Sequence, residues 1–261
     1  MKWSDIERGD PLEMAALLSF LERNAPGCTR RMRGASEDRI AALASCLHGG
    51  ASALPRVYLE FLRTMGERKG PLKFTWCHTE VSVLLAARKR PQRWAVPERL
   101  FLYATGMTLE GERQEEDQFL DLAQPRAYGA DARVVRGTRR AVATGGAVRE
   151  MFESFSDQLR VSAVGAVKRY FGHDELVGFQ PERVPDMFVA LRNMGFELTE
   201  LGGCPRHVPM TAPGKAMVAL VTTSGTWSGD PHVTIAARDD KQMLRVVEIL
   251  NDLENRWRLA R

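Results

Sequence analysis

The chain has 261 residues, 44% of them hydrophobic and 27% charged, with 37 Lys+Arg against 33 Asp+Glu for a formal net charge of +4. That is enough apolar sequence to bury a sizeable core in one or two domains without disulfide or metal staples. The excess of positive charge is too thin for the Lys/Arg stripe with which a nucleic-acid binder neutralises phosphates, so no nucleic acid is expected as a partner.

Four scattered cysteines, Cys28, Cys46, Cys77 and Cys204, with no CxxC spacing, read as reduced thiols. The first ten residues hold no apolar leader core, and no later stretch reaches the length of a membrane span. A soluble, cytoplasmic protein with no membrane partner is the expectation. Charge is unevenly placed: residues 1–171 carry 27 Lys+Arg against 21 Asp+Glu, a net of +6, and residues 172–261 carry 10 against 12, a net of −2.

Leu12, Ala15, Ala16, Leu18 and Leu21 recur at helical spacing over 11–23, ahead of Pro26-Gly27 and a basic connector at 30–33. Ser36 is placed to cap a helix over 36–48 that Gly49-Gly50 stops. Pro55, with φ preset and no donor to lose, reads as the first residue of the next helix. Tyr58, Phe61, Leu62 and Met65 fall on one face of that helix and Arg56, Glu60 and Arg63 on the other. Alternation predicts a short strand over 72–76, and Thr79 caps a helix running to Ala87 before the cluster Arg88-Lys89-Arg90-Pro91.

Residues 100–104, 118–122 and 132–136 are strand candidates, the first two joined by an exposed, Glu-rich connection over 108–117. Met151, Phe152, Phe155 and Leu159 predict an amphipathic helix over 148–159 that 161–171 continues or repeats. Gly172, Gly178 and Pro181 mark a boundary. Beyond it the pattern predicts a helix at 185–194, a loop at 202–214, a hairpin of 216–222 with 232–237, and a final helix capped by Asp239 with Met243, Val246, Leu250 and Leu253 inward. The fold class is α+β: helices flanking an antiparallel β-meander over 1–171, then a smaller α+β domain over 172–261.

Chemistry-bearing residues do not assemble into a catalytic motif. Cys204-x-x-His207 with Cys77-His78 supplies one spaced pair where a structural zinc needs four ligands. Ser228, Asp230 and His232 lie along one strand and turn, and Trp227 stands where a nucleophile elbow needs serine. No G-x-G-x-x-G or P-loop spacing occurs, and His173-Asp174-Glu175 falls at the expected boundary. The reading is a protein that is not an enzyme, with no catalytic residue, cofactor or metal assigned. The basic clusters Arg30–Arg33, Arg88–Arg90 and Arg139-Arg140 each terminate or connect helices, and the macrodipole at a helix C-terminus accounts for the second. Glu110, Glu112, Glu115, Glu116 and Asp117 are open to two readings, a solvated loop or a surface that steers and captures a basic partner.

Leu54-Pro55, Tyr58 and Phe61-Leu62, following a first helix and preceding a meander and a closing helix with Phe152 and Phe155, resemble the opening signature of the SUKH superfamily over residues 36 to about 160. These are the Smi/Knr-type proteins that include many immunity proteins of bacterial polymorphic toxin systems. The family's usual Asn-Gly-Gly after this helix is here Met65-Gly66-Glu67. The resemblance implies a SUKH-like fold and a cytoplasmic immunity protein that neutralises a cognate protein toxin by steric occlusion. The acidic set 110, 112 and 115–117 would be the contact if the toxin is basic, and the arginine clusters if it is acidic or neutral. Two other readings stand beside it: an intracellular scaffold or regulator on the same fold, and a hydrolase or metal-dependent enzyme without a recognised motif.

Overall fold

The computed structural model of the chain describes residues 11–74, 77–89, 96–106, 116–126, 129–202, 206–223 and 231–259. Among these it is a mixed α+β protein with eight α-helices and two five-stranded antiparallel sheets. Two units divide the chain, Cys28–Leu159 and the discontinuous pair Met1–Gly27 with Arg160–Arg261.

Helix α1 is Met14–Asn24; the unit Cys28–Leu159 opens on a 3-10 turn, Cys28–Arg31, followed by α2, Glu37–Ala44. Ser36 occupies the N-cap through its backbone: its carbonyl accepts from Arg39 and Ile40 at 3.0 Å, while its side chain makes no capping bond. The helix ends at Ala44, short of 48, because the Leu47 N–H turns back to Ala44 at 2.9 Å and a 3-10 turn, Gly50–Ala53, follows Gly49 at φ 96°. Helix α3, Arg56–Met65, starts one residue after Pro55, whose carbonyl accepts from Leu59 at 3.0 Å. Val57, Tyr58, Phe61, Leu62 and Met65 are its buried residues.

Leu72 and Phe74 are buried around exposed Lys73, so alternation there is real, but no strand forms at 72–74 and pairing begins at β1, Cys77–His78. Helix α4, Val81–Lys89, follows Thr79 without being capped by it; the Val81 N–H bonds Gly66 instead, at 2.8 Å. Strands β2 (Leu100–Gly106), β3 (Glu116–Arg126), β4 (Asp131–Thr138) and β5 (Arg149–Phe152) complete a meander in the order β1-β2-β3-β4-β5, with the short helix α5, Arg139–Ala143, between the last two.

The helix expected over 148–159 is thus corrected. Arg149, Glu150 and Phe152 pair with Arg136, Val135 and Val134, and helix α6 starts only at Phe155, running to Phe171. Its start is set from far away: the Asp131 carboxylate accepts the N–H groups of Phe155 and Ser156 at 3.0 and 3.1 Å, satisfying donors that a first helical turn leaves open. Around Phe155 the core of the unit is aromatic, with ring centroids of Tyr58, Phe61, Tyr103 and Phe74 at 5.2, 5.3, 5.4 and 6.3 Å.

The second unit holds β6 (His173–Gly178), α7 (Val184–Asn193), β7 (Glu197–Leu198), β8 (His207–Ala212), β9 (Met217–Thr222), β10 (His232–Ala237) and α8 (Asp240–Leu259), with strand order β6-β10-β9-β8-β7. Its core includes Val177, Met187, Leu191, Phe196, Met210, Val221, Ile235 and Leu250. Asp239 caps α8 as its position suggests, accepting from Lys241 and Gln242 at 3.0 and 3.3 Å.

Here too the linker and loop readings give way. Gly172, at φ 88°, closes α6 in the left-handed conformation that favours glycine, and the charged residues after it form a strand, with Asp174 paired to Lys168 and His173 3.6 Å from Asp240. The proline-rich stretch contains β8, whose Pro209 lacks a donor but accepts from Thr199 at 3.3 Å. Helix α1 belongs to this unit through Arg23 with Glu200 at 3.1 Å and Arg238 donating to the Asn24 carbonyl at 3.1 Å. The division therefore falls inside α6, between residues 159 and 160, and differs from the boundary expected near 172. No helix among the described residues is long and apolar enough to cross a membrane.

Candidate partner-binding site

Glu110, Glu112 and Glu115 lie outside the described residues. Glu116 and Asp117 do not sit in an exposed connection; they open β3, opposite Thr138 and Gly137 of β4. The Glu116 carboxylate receives Arg136 at 2.8 Å and Arg149 at 2.7 Å. Asp117 is 3% exposed, accepts the Gly106 N–H at 2.9 Å and is paired to Arg139. Arg133 and Glu150 add a further pair at 3.2 Å. Antiparallel register brings acids of β3 beside arginines of β4, β5 and α5, so the charge of Glu116 and Asp117 is compensated within the sheet. Asp117 is removed from the candidate contact surface by burial, and Glu116 is committed to two guanidinium groups. Arg139, read as a helix-end cation, instead enters the first turn of α5 as the partner of Asp117.

Behind that charged edge lies a closed polar cluster. The Tyr103 hydroxyl is 2.5 Å from both Gln118 Oε1 and Gln158 Oε1, and Gln158 Nε2 donates to Gln118 at 2.8 Å. Burial pushes the Tyr103 phenol well above its ordinary pKa and the nearby Cys77 thiol up to about 12. Such a thiol stays protonated and inert at neutral pH. Iodoacetamide at pH 8 is expected to alkylate the exposed Cys46 well before Cys77, checked by peptide mass mapping on the native protein; equal rates would contradict the closed cluster.

Of the metal candidates, His207 is buried and opens β8 inside the stretch expected as a loop, and Cys204 lies outside the described residues. Among the described residues no three His, Cys, Asp or Glu side chains gather to hold an ion. Ser228 and Asp230 of the hydrolase candidate also fall outside them.

Two concavities in the second unit escaped sequence reasoning. One, of about 650 Å³, lies between the corner Gly178–Pro181 and the turn of α8 carrying Asn251, Glu254 and Asn255. The other, of about 440 Å³, is a groove between α7 and α8 with Val189, Ala190, Met194, Ile249, Leu253 and Trp257 in its walls. No protein-family model matches the chain. Neither a curated protein nor a solved structure matches it. Val189 and Ile249 are 58% and 40% exposed, and Arg183 closes one end of the groove by lying 5.4 Å over the Trp257 ring while pairing with Asp186 at 3.2 Å. In sequence, Ile249, Leu253 and Trp257 repeat at i, i+4 and i+8, a row of which the expected inward face includes Leu253 alone.

Proposed function

We propose that the protein is a non-catalytic binding protein of the immunity kind, which neutralises a cognate protein toxin by covering the surface the toxin needs. The observation that carries the reading is the placement of Leu54, Tyr58, Phe61 and Leu62, all buried, in a unit whose chain order is helices, antiparallel meander and closing helix. That order is what the resemblance to the SUKH superfamily implies. Burial of these side chains, worth about 1.5–3 kcal/mol each, makes them scaffold and leaves recognition to other surfaces.

Recognition is assigned to the acidic residues Glu110, Glu112 and Glu115, which precede the compensated pair Glu116 and Asp117. Charge in such a segment speeds encounter with a basic toxin and discriminates against others. The test is neutralisation. Cells expressing the toxin encoded beside this gene should survive when the chain is co-expressed, and the two proteins should co-purify one to one. Changing Glu110, Glu112 and Glu115 together to Lys should slow association by about tenfold or more at low salt without altering the circular dichroism spectrum. Failure of any neighbouring toxin to be neutralised would remove the reading; unchanged association of the triple variant would remove the segment from it.

A further inference from the structure

Two stretches of the first unit bring much of the chain's positive charge to one place. Residues 28–39 and 63–73 hold eight Lys+Arg against three Asp+Glu, a net of +5 where the whole chain has +4. They meet in an antiparallel bridge between Arg33 and Arg68, whose backbones exchange both hydrogen bonds: the Arg33 N–H donates to the Arg68 carbonyl at 3.0 Å and the Arg68 N–H to the Arg33 carbonyl at 3.1 Å. The bridge has a firm support. The Ala35 N–H bonds the Leu62 carbonyl at 2.9 Å, and a Cβ added at Gly34 would collide with the Arg63 carbonyl, so the backbone after Arg33 lies directly against the end of α3.

Residues opposed in such a pair have Cα atoms about 5.5 Å apart and side chains on the same face of the ribbon. Here both are arginines, and both are exposed. Like charges directly opposite are destabilising, and a sheet ordinarily answers a charge with its opposite. The acids of the neighbourhood are committed to other cations: Glu37 to Arg63 at 2.8 Å, Glu67 to Arg39 at 2.9 Å and Glu80 to Lys69 at 2.5 Å. Asp38, exposed on α2, joins no ion pair among the described residues, and no carboxylate among them pairs with Arg33 or Arg68. The pair therefore asks for an anion from outside. A carboxylate would neutralise one guanidinium only. A phosphate monoester carries close to two negative charges at neutral pH and three acceptor oxygens, enough to take a planar fork of donors from each arginine. Nucleic acid, with one charge per phosphate, calls for a stripe of cations; here two arginines face each other, with Arg30 and Arg31 on the preceding turn outside the pair. We infer that Arg33 and Arg68 together bind a phosphate monoester dianion, carried by a small molecule or by a phosphorylated protein side chain. The site lies apart from the acidic segment proposed above for recognition and does not depend on it.

The experiment uses the full chain, ¹⁵N-labelled, at about pH 7.5, where the monoester is a dianion. At constant ionic strength it is titrated with inorganic phosphate, with N-acetyl-O-phospho-L-serinamide, with the singly charged dimethyl phosphate, and with an oligothymidylate lacking terminal phosphates. Saturable shifts are expected at the backbone amides of Arg33, Gly34, Arg68 and Lys69 and at the side-chain Nε–H of Arg33 and Arg68, with dimethyl phosphate about tenfold weaker or worse. Arg33→Gln and Arg68→Gln should each weaken the monoesters by about fivefold or more with the remaining spectrum retained, and Arg33→Lys, which keeps the charge and loses the fork, by about threefold. Arg30→Gln should change affinity by less than about twofold. The tighter of the two monoesters identifies the carrier: the phosphoserine compound a protein side chain, inorganic phosphate a small molecule. Absence of saturable shifts by about 50 mM phosphate, or an equal response to dimethyl phosphate, would overturn the site. A loss in Arg30→Gln equal to that in Arg33→Gln would replace the facing pair by a diffuse positive field, and tighter binding of the oligothymidylate than of either monoester would make the surface one for nucleic acid; both results overturn the inference.

Discussion

Replacing Phe155 by Ala is expected to cost about 3–5 kcal/mol of unfolding free energy, the range for a fully buried phenylalanine whose neighbours cannot close over the void. Four rings surround this side chain within 6.3 Å, most of them edge-on, and they come from α3, from β2 and from the segment before β1. Aromatic rings at such angles do not slide together to refill a cavity as aliphatic chains do, so relaxation is small. Urea denaturation followed by tryptophan fluorescence gives the value directly. A loss below about 1 kcal/mol would mean the cluster repacks, and that the closing helix is not held where its aromatic contacts place it.

Replacing Asp131 by Ala should be comparably damaging for a different reason. The N–H groups of Ala132, Phe155 and Ser156 lose their acceptor together, at about 1–3 kcal/mol for each donor left buried without a partner. The same carboxyl has a pH signature. Burial raises its pKa above the ordinary 3.8, outweighing the hydrogen bonds from Ser156, Ala132 and Phe155. A raised pKa means that the folded state holds the extra proton in the window above 3.8. Its contribution to stability is therefore complete below that value and is lost as pH rises through the folded pKa. Urea midpoints measured upward from pH 3.8 should carry this downward component, and Asp131→Asn should remove it. A variant with the same slope as the parent protein would assign the pH dependence to another group.

What could be read from the chain was what local physics decides. Tyr58, Phe61, Leu62 and Met65 face inward because their spacing is that of one helix face, and Asp239 caps because it stands directly before an apolar repeat. What could not be read depended on partners distant in sequence. Met151, Phe152, Phe155 and Leu159 have helical spacing but straddle a strand and a helix, since the first two lie in β5, which pairs with β4, and Asp131 fixes the start of the helix at the third. Gly172 and Pro209 look like loop residues; one is a helix stop in front of an edge strand and the other lies in a strand that tolerates its missing donor.

The candidate site failed to be legible for the same reason. Nothing in the run from Glu110 to Asp117 says that its last two members meet Arg136, Arg149 and Arg139, because that is a property of strand register. The pocket walls of Gln180 and Asn251 are 71 residues apart in a stretch where each looks like an ordinary surface amide.

Helix α1 precedes, by a whole unit of chain, the partners that hold its end. Glu200 and Arg238, which hold Arg23 and the Asn24 carbonyl, leave the ribosome after the whole of residues 28–159. The intervening unit is continuous in sequence and rich in neighbouring-strand pairings, so it can close while the rest is still being synthesised. Until Glu200 and Arg238 have emerged, Arg23 and the Asn24 carbonyl at the end of α1 lack these partners. A chain cut at 171 would keep α1 but lose Glu200 and Arg238, the partners of Arg23 and of the Asn24 carbonyl.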